Sequence, residues 1–197
     1  ETKKLVKLPI EEYLVGVVEK GKVEKISKEE ALKKGLWTEI FPQENYLRAL
    51  AKIINLKAIE NAGLSIVVDP MFGAGIGYLE SLLKDVCRIA SIHSRRDPLF
   101  GGSLPEPTGV NLATLKQEVL SSRADLGLAL DGDGDRFGII DADGTYINPN
   151  QVLTLIYYYL ITGKKIGGPV ARTVATTHLL DRIAEKHGYH VEETPVG

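Results

Sequence analysis

Apolar positions along this chain follow two rhythms. Leu5, Leu8, Tyr13, Leu14 and Val17 recur at roughly helical spacing among lysines and glutamates, which predicts an amphipathic helix followed by a lysine-rich link through residue 36. After Pro42, Tyr46, Leu47, Leu50, Ile53 and Ile54 predict one helix closed near Gly63. The run LSIVVDP is short, β-branched and unbroken by polar residues, as in a parallel strand buried on both faces. MFGAGIG is then a tight turn into a helix around YLESLLKD; its glycines do not match the dinucleotide-binding spacing, and no lysine stands where a phosphate loop needs one.

Residues 94–109, SRRDPLFGGSLPEPTG, hold three prolines and three glycines and predict an irregular surface excursion, with Arg95 and Arg96 on a solvated face. Leu112, Leu115, Val119 and Leu120 form the stripe of a further helix, and DLGLAL, residues 125–130, a further buried strand. FGIID and TYIN flank an Asp-Gly turn that suits a hairpin. Residues 150–162 predict a helix whose tyrosines serve packing, VARTV a strand, HLLDRIAEKHG a helix capped by Thr176 or Thr177, and YHVEETPV a last strand. Helix and strand alternate. The expected class is α/β, with mainly parallel mixed sheets flanked by helices, in two α/β/α-type units of which the second is incomplete.

Composition narrows the partners. The 197 residues are 44% hydrophobic and 25% charged, which is enough for a packed core. The 24 basic and 26 acidic residues include no basic block able to track a phosphate backbone, so nucleic acid is not an expected partner. A lone cysteine, Cys87, forms no intramolecular disulfide; it reads as a buried, inert thiol in a cytoplasmic protein. The opening residues are too charged for a signal peptide, and the longest apolar run, residues 152–161, is too short to cross a bilayer. No membrane partner is expected.

The stretch LALDGDGDRFGII raises the chemical question. Asp131, Asp133 and Asp135 stand at every second position, separated by Gly132 and Gly134 and followed by Arg136. Such carboxylates converge only if the backbone curls, which both glycines are expected to permit by adopting positive φ. Three hard oxygen donors around one point repel one another unless a cation sits among them, and Mg²⁺ is the preferred ion. A calcium EF-hand is excluded: its sixth position, a glycine, is Arg136 here, and its twelfth, a glutamate, is Ala142. The loop follows a strand's carboxyl end, where α/β sites lie, whereas Asp141 and Asp143 occupy a simple turn. Arg136 supplies a fixed charged fork beside the metal site and fits a phosphate oxygen.

These residues resemble the magnesium loop of the α-D-phosphohexomutases, the phosphoglucomutase and phosphomannomutase family. DPLFGGSLPEPT before the loop, and ARTVATTHLLDRIAEKHG with ETPVG after it, are similar to that family too, so the resemblance runs from about Tyr46 to the end. It implies a four-domain enzyme around a deep cleft. There a phosphoserine phosphorylates a hexose phosphate and takes phosphate back from the other position of the bisphosphorylated sugar, interconverting hexose 1-phosphate and hexose 6-phosphate. It further implies one Mg²⁺ held by Asp131, Asp133 and Asp135, phosphate contact by Arg136, and glucose 1,6-bisphosphate or an equivalent as activator. Gly197 would begin a loop facing the sugar. For Arg172 two readings stand, a cleft-facing substrate contact or a surface role at a strand end.

The departures are large. The family's Ser-His-Asn-Pro-like phosphoserine segment, its Gly-Glu-x-Ser-Gly sugar loop and its Ser-Gly-Thr-Glu-Pro phosphate segment do not occur in these residues. The expected organisation is therefore residues 1–44 from the end of the first domain, 45–145 as the second domain with the metal loop, and 146–197 as the start of a truncated third. Such a piece would need the missing domains as partners and be inactive alone. The alternative is a noncatalytic metal-binding or assembly domain of the same fold.

Overall fold

The computed structural model describes residues 25–196; the helix expected over residues 5–17 and Gly197 lie outside them. The chain divides into two compact units, Glu1–Pro42 and Gln43–Gly197. In the first, the expected lysine-rich link contains a helix, α1 (Lys28–Lys33). Ser27 explains it: its hydroxyl accepts the Glu30 N–H, Glu29 and Glu30 lie in the first turn, and Lys33 in the last, which complements the helix dipole at both ends. Lys28 also lies over the Trp37 ring and pairs with Glu39.

In the second unit the single helix expected up to Gly63 is two, α2 (Gln43–Ile53) and α3 (Leu56–Ala62). Asn55 breaks the run because its side chain accepts the Ala58 N–H and caps the second helix. Gly63, left-handed at φ 64°, ends it as expected.

Five strands follow with their helices: β1 (Ser65–Asp69), α4 (Tyr78–Leu83), β2 (Arg88–Ser91), α5 (Ala113–Ser122), β3 (Leu126–Leu130), β4 (Phe137–Asp141) and β5 (Tyr146–Ile147). They form one sheet in the order β2-β1-β3-β4-β5; β1 pairs parallel with β2 and β3, and β4 antiparallel with β3 and β5. β2 is largely exposed and lacks the apolar run that marks β1, so the residue pattern does not announce it.

The two faces of β1 hold separate halves of the core. Val67 packs with Leu112, Leu115, Val119, Ala129 and Ile140 beneath α5. Ile66 and Val68 pack with Leu83, alongside Leu56, Ile59, Leu79 and Leu82 of α3 and α4. Burial on both sides is why β1 reads as unbroken hydrophobic sequence. Leu120, expected in the helix stripe, is instead exposed; burial falls on Leu112, Leu115 and Val119. Cys87 is only half-buried, against the second of these clusters, and desolvation pushes its thiol pKa up.

A smaller parallel sheet joins β6 (Val170–Thr173) to β7 (Val191–Thr194). Over it pack α6 (Pro149–Thr162), which opens with an Asn148–Gln151 capping box, and α7 (Leu179–Lys186). Tyr157, Ile161, Leu180 and Ala184 are its core. Tyr157 serves packing, as expected, but Tyr158 and Tyr159 are exposed. Thr177 accepts the Leu179 N–H at the start of α7. Both sheets sit among helices, and the class is the α/β one expected. Among the described residues no helix is long and apolar enough to cross a membrane.

Strand order determines where a site forms. From β1 the chain crosses through α4 to β2 on one side, then returns through α5 to β3 on the other. The carboxyl ends of β1 and β3 therefore flank a topological switch point, where a crevice opens between diverging loops.

Candidate metal centre

The aspartate sequence is the connection of the β3–β4 hairpin. Antiparallel pairing ends at Leu130 opposite Phe137, and the Asp131 N–H donates to the Arg136 carbonyl at 3.1 Å, closing residues 131–136 into a loop. Gly134 adopts φ 80° and supplies the curl. Gly132 does not; the expectation of positive φ at both glycines is corrected here. Gly132 is small because a Cβ there would lie 3.0 Å from Pro105 and 3.2 Å from Phe100.

Asp131 is fully buried. Its Oδ1 accepts the Arg136 backbone N–H at 3.0 Å, and its Oδ2 accepts Arg136 Nε at 2.8 Å. Burial alone would push this carboxyl up; the hydrogen bonds from the Arg136 backbone and side chain outweigh it and hold the pKa at about 2. Asp133 and Asp135 are exposed at the loop's tip, and one oxygen from each of the three aspartates lies within 4.8 Å of the others. Sharing a hydrogen bond with Asp131 and facing the charge of Asp133 pushes the Asp135 pKa up. Three carboxylates that offer only hard oxygens, one from each within 4.8 Å of the others, could hold a small divalent cation.

Arg136 Nη1 reaches Glu106 Oε1 at 3.1 Å. Glu106 lies in the Pro-rich excursion, within the stretch DPLFGGSLPEPT that resembles the family, but its own spacing marks no chemistry. Arg136 is thus tied to the loop on one edge while its side chain stays more than half exposed, at 57%. A guanidinium so placed can hand an N–H to an oxyanion without losing its anchor.

A second layer lies behind the loop. The Ala74 N–H donates to the Gly132 carbonyl at 2.9 Å, and the Gly132 N–H to the Pro105 carbonyl at 3.1 Å. Gly73 meets Gly132 so closely that a Cβ at 73 would sit 2.4 Å from the Gly132 oxygen. Gly73 of MFGAGIG thus permits contact with the aspartate loop, and Gly75 with Leu130 just before it. Before them, Asp69 ends β1 almost wholly buried; its Oδ1 accepts the Met71 N–H at 2.8 Å, and both its oxygens lie 3.0 Å from His93 Nδ1. Desolvation pushes the Asp69 pKa up against the pull of Met71 and His93. Met71, Phe72 and His93 all have positive φ, a strain on the order of 1–3 kcal/mol each for non-glycine residues. In sequence Asp69 reads as a turn residue and His93 gives no signal, since neither stands in a spacing that marks chemistry.

Arg172 lies elsewhere, on β6. The residue is only 7% exposed, and its guanidinium pairs with side chains of its own unit. Nε and Nη2 donate to Asp181 at 3.0 and 2.8 Å, Nη1 pairs with Glu193 at 2.7 Å, and His178 Nδ1 lies 2.8 Å from Nη2. The Asp181 hydrogen bonds push Arg172 further up, and the same bonds hold Asp181 below the usual carboxylate range. Arg172 is a brace between β6, α7 and β7. Asp141 and Asp143 form the simple turn expected, with Gly144 left-handed at φ 81°.

The family model for phosphoglucomutase/phosphomannomutase alpha/beta/alpha domain II matches residues 44–144, and that for domain III matches residues 148–197. A phosphoglucomutase/phosphomannomutase of Thermococcus kodakarensis is 34% identical over 153 residues, covering 77% of this chain and 33% of that protein. A phosphopentomutase of the same organism is 29% identical over 172 residues, covering 84% of this chain and 37% of its own length. A crystal structure assigned as a phosphomannomutase, from Thermus thermophilus, superposes with a TM-score of 0.71 at 35% identity, over 80% of this chain and 37% of that one. The chain spans about a third of the length of the curated relatives it matches. Its residues 44–197 match two successive domains of one enzyme family, and the chain belongs to the phosphoglucomutase/phosphomannomutase family.

Proposed function

We propose that this chain supplies the Mg²⁺ site of a phosphohexomutase that interconverts hexose 1-phosphate and hexose 6-phosphate. The observation that carries the reading is the convergence of Asp131, Asp133 and Asp135 on one point at the β1/β3 switch point, with Arg136 beside them. The three carboxylates would hold the cation, which when bound offsets charge on a phosphoryl oxygen. Asp131, dry and fixed on two hydrogen bonds from Arg136, sets the position of the other two. The guanidinium of Arg136, anchored on Asp131 and Glu106, offers its free edge to the same phosphate. The phosphoserine that resemblance implies, the sugar contacts beyond the one expected at Gly197, and glucose 1,6-bisphosphate as activator all call on residues outside this chain. By itself the chain is expected to be inactive, and its partners are the remaining domains and, in the whole enzyme, hexose phosphates of the cytoplasm.

The test is a coupled mutase assay on a polypeptide with the full length of the relatives that carries this segment, with glucose, mannose and glucosamine 1-phosphates offered separately. Magnesium-dependent turnover of one of them is expected there and none from the 197-residue chain. Absence of turnover on all three from a folded full-length protein would remove the reading, and turnover by the short chain would remove the dependence on missing domains.

A further inference from the structure

The mechanism leaves unused a buried charged residue at the other lip of the crevice. Asp69 is 1% exposed, and its carboxylate is occupied by the Met71 N–H and by His93 Nδ1. A carboxylate buried against a histidine is a poor means of adding stability, because well-packed apolar residues of similar volume often do as well or better. Strain gathers at the same place. Four of the six described non-glycine residues with positive φ are Met71, Phe72, His93 and Phe100; only Arg123 and Lys165 lie elsewhere. Strained backbone persists only where its surroundings over-determine it.

The surroundings lead to the aspartate loop. His93 accepts the Phe72 N–H on its carbonyl at 3.0 Å, and the two rings stack with centroids 4.5 Å apart. Phe72 precedes Gly73, which abuts Gly132, and Ala74, whose N–H bonds the Gly132 carbonyl. Gly132 separates Asp131 from Asp133. We propose that the Asp69–His93 pair is a positioning element for the aspartate loop: it fixes the left-handed turn at Met71 and Phe72 and, through Ala74 and Gly132, the place where Asp131 and Asp133 present their carboxylates. The proposal rests on reading those aspartates as a metal centre.

The pair touches no ligand. It acts as the groups behind a metal ligand do, by holding the ligand's backbone in one conformation. His93 is suited to this because one ring serves two contacts, a donor to Asp69 and a stacking face for Phe72. Those contacts can be removed separately.

The experiment uses the 197-residue chain and two readouts: amide hydrogen exchange, and Mn²⁺ binding followed by water-proton relaxation. His93→Phe keeps a ring for Phe72 and removes the donor. His93→Asn keeps a donor near Nδ1, and asparagine tolerates left-handed backbone. Asp69→Asn keeps an acceptor for Met71 and removes the charge. In His93→Phe and Asp69→Asn the Ala74 amide is expected to exchange about tenfold faster and Mn²⁺ to bind about tenfold more weakly. The Val67 and Ile140 amides should be unchanged, and His93→Asn, which keeps the donor and loses the stacking face, should lie between these two variants and the wild type in both readouts. An unchanged Ala74 amide in both of the first two variants overturns the proposal. So does equal acceleration at Val67 and Ile140, since the pair would then hold only the fold. Asp133→Ala is the control that separates the two readings. If it abolishes Mn²⁺ binding while His93→Phe and Asp69→Asn leave it intact, the positioning proposal falls and the metal centre stands. If it does not weaken Mn²⁺ binding, the metal reading falls and takes the proposed role of the pair with it.

Discussion

Two clusters of charge in this chain are built in opposite ways. Around Arg172 the cation is at the centre: Asp181 and Glu193 pair with the guanidinium at 2.8 and 2.7 Å, and the group is buried on arrival of its partners. In the aspartate loop the centre is left to carboxylates. Arg136 grips Asp131 from the side at 2.8 Å, reaches Asp135 only at 3.8 Å, and among the described residues makes no ion pair with Asp133. The first cluster satisfies itself and so serves as scaffold. The second sets one guanidinium among three carboxylates, two of them exposed, and so carries a surplus of negative charge at its tip, which the proposed cation would offset.

The sharpest way to break this comparison is to remove one charge from each cluster. Asp133→Ala, in a full-length protein carrying this segment, is expected to lower turnover by more than about 100-fold, beyond what residues behind a ligand produce. Its thermal midpoint should stay close to the parent's, since Asp133 is exposed and fills no core. Near-parental turnover with ordinary magnesium dependence would show that the loop is not the metal site. Next in size is Arg172→Met in the 197-residue chain, which leaves Asp181 and Glu193 facing each other and is expected to lower the melting midpoint by several degrees. An unchanged midpoint in differential scanning fluorimetry would show that the brace holds nothing.

Adding the ion should distinguish the clusters more gently. With Mg²⁺ at about ten times its dissociation constant, the wild-type chain should gain about 1.4 kcal/mol of stability and Asp133→Ala essentially none. Calorimetric affinity for the isolated chain should be weaker than the low micromolar range, because Mg²⁺ keeps its waters unless a phosphate helps to replace them. Tighter binding would mean that these carboxylates form a complete site alone.

The smallest effect is a pH dependence at the brace. Arg172 holds the Asp181 pKa below its unfolded value. The resulting stabilisation is fully present above the unfolded pKa and fades as the pH falls through the folded one. The midpoint difference between wild type and Asp181→Asn should therefore be constant above about pH 5 and shrink below about pH 4. A difference that instead grows on acidification would reverse the assignment.

Much of the fold was legible because β1, β3 and the helix faces over them bury residues whose spacing reports the burial. Leu112, Leu115 and Val119 announce α5, and the run ending in Asp69 announces β1, an interior strand of the sheet. β2 was not legible: an edge strand with one weakly covered face needs no apolar pattern. The split between α2 and α3 turns on a single side chain, Asn55, which competes for a backbone N–H where periodicity alone predicts continuation. At the site, the three aspartates stand out because their charge repels along five consecutive positions. Glu106, Asp69 and His93 were missed for the opposite reason, since each finds its partner between 24 and 30 residues away and only the folded chain brings them together. The partners of Arg172 were not legible, because an arginine in a strand looks the same in sequence whether it faces a ligand or a carboxylate of its own chain.

The contact between Gly73 and Gly132 also bears on how such a site can be moved. Two turns from distant parts of the chain meet backbone to backbone, with no side chain between them to absorb a mismatch. The residues from Asp131 to Arg136 are consequently not a portable cassette. Grafted onto another hairpin, they would lack the opposing glycine, and any Cβ in its place would lie within 2.4 Å of the Gly132 oxygen. A designer who wants this centre in a new scaffold has to transplant both turns, and a lineage that keeps one of them is under pressure to keep the other.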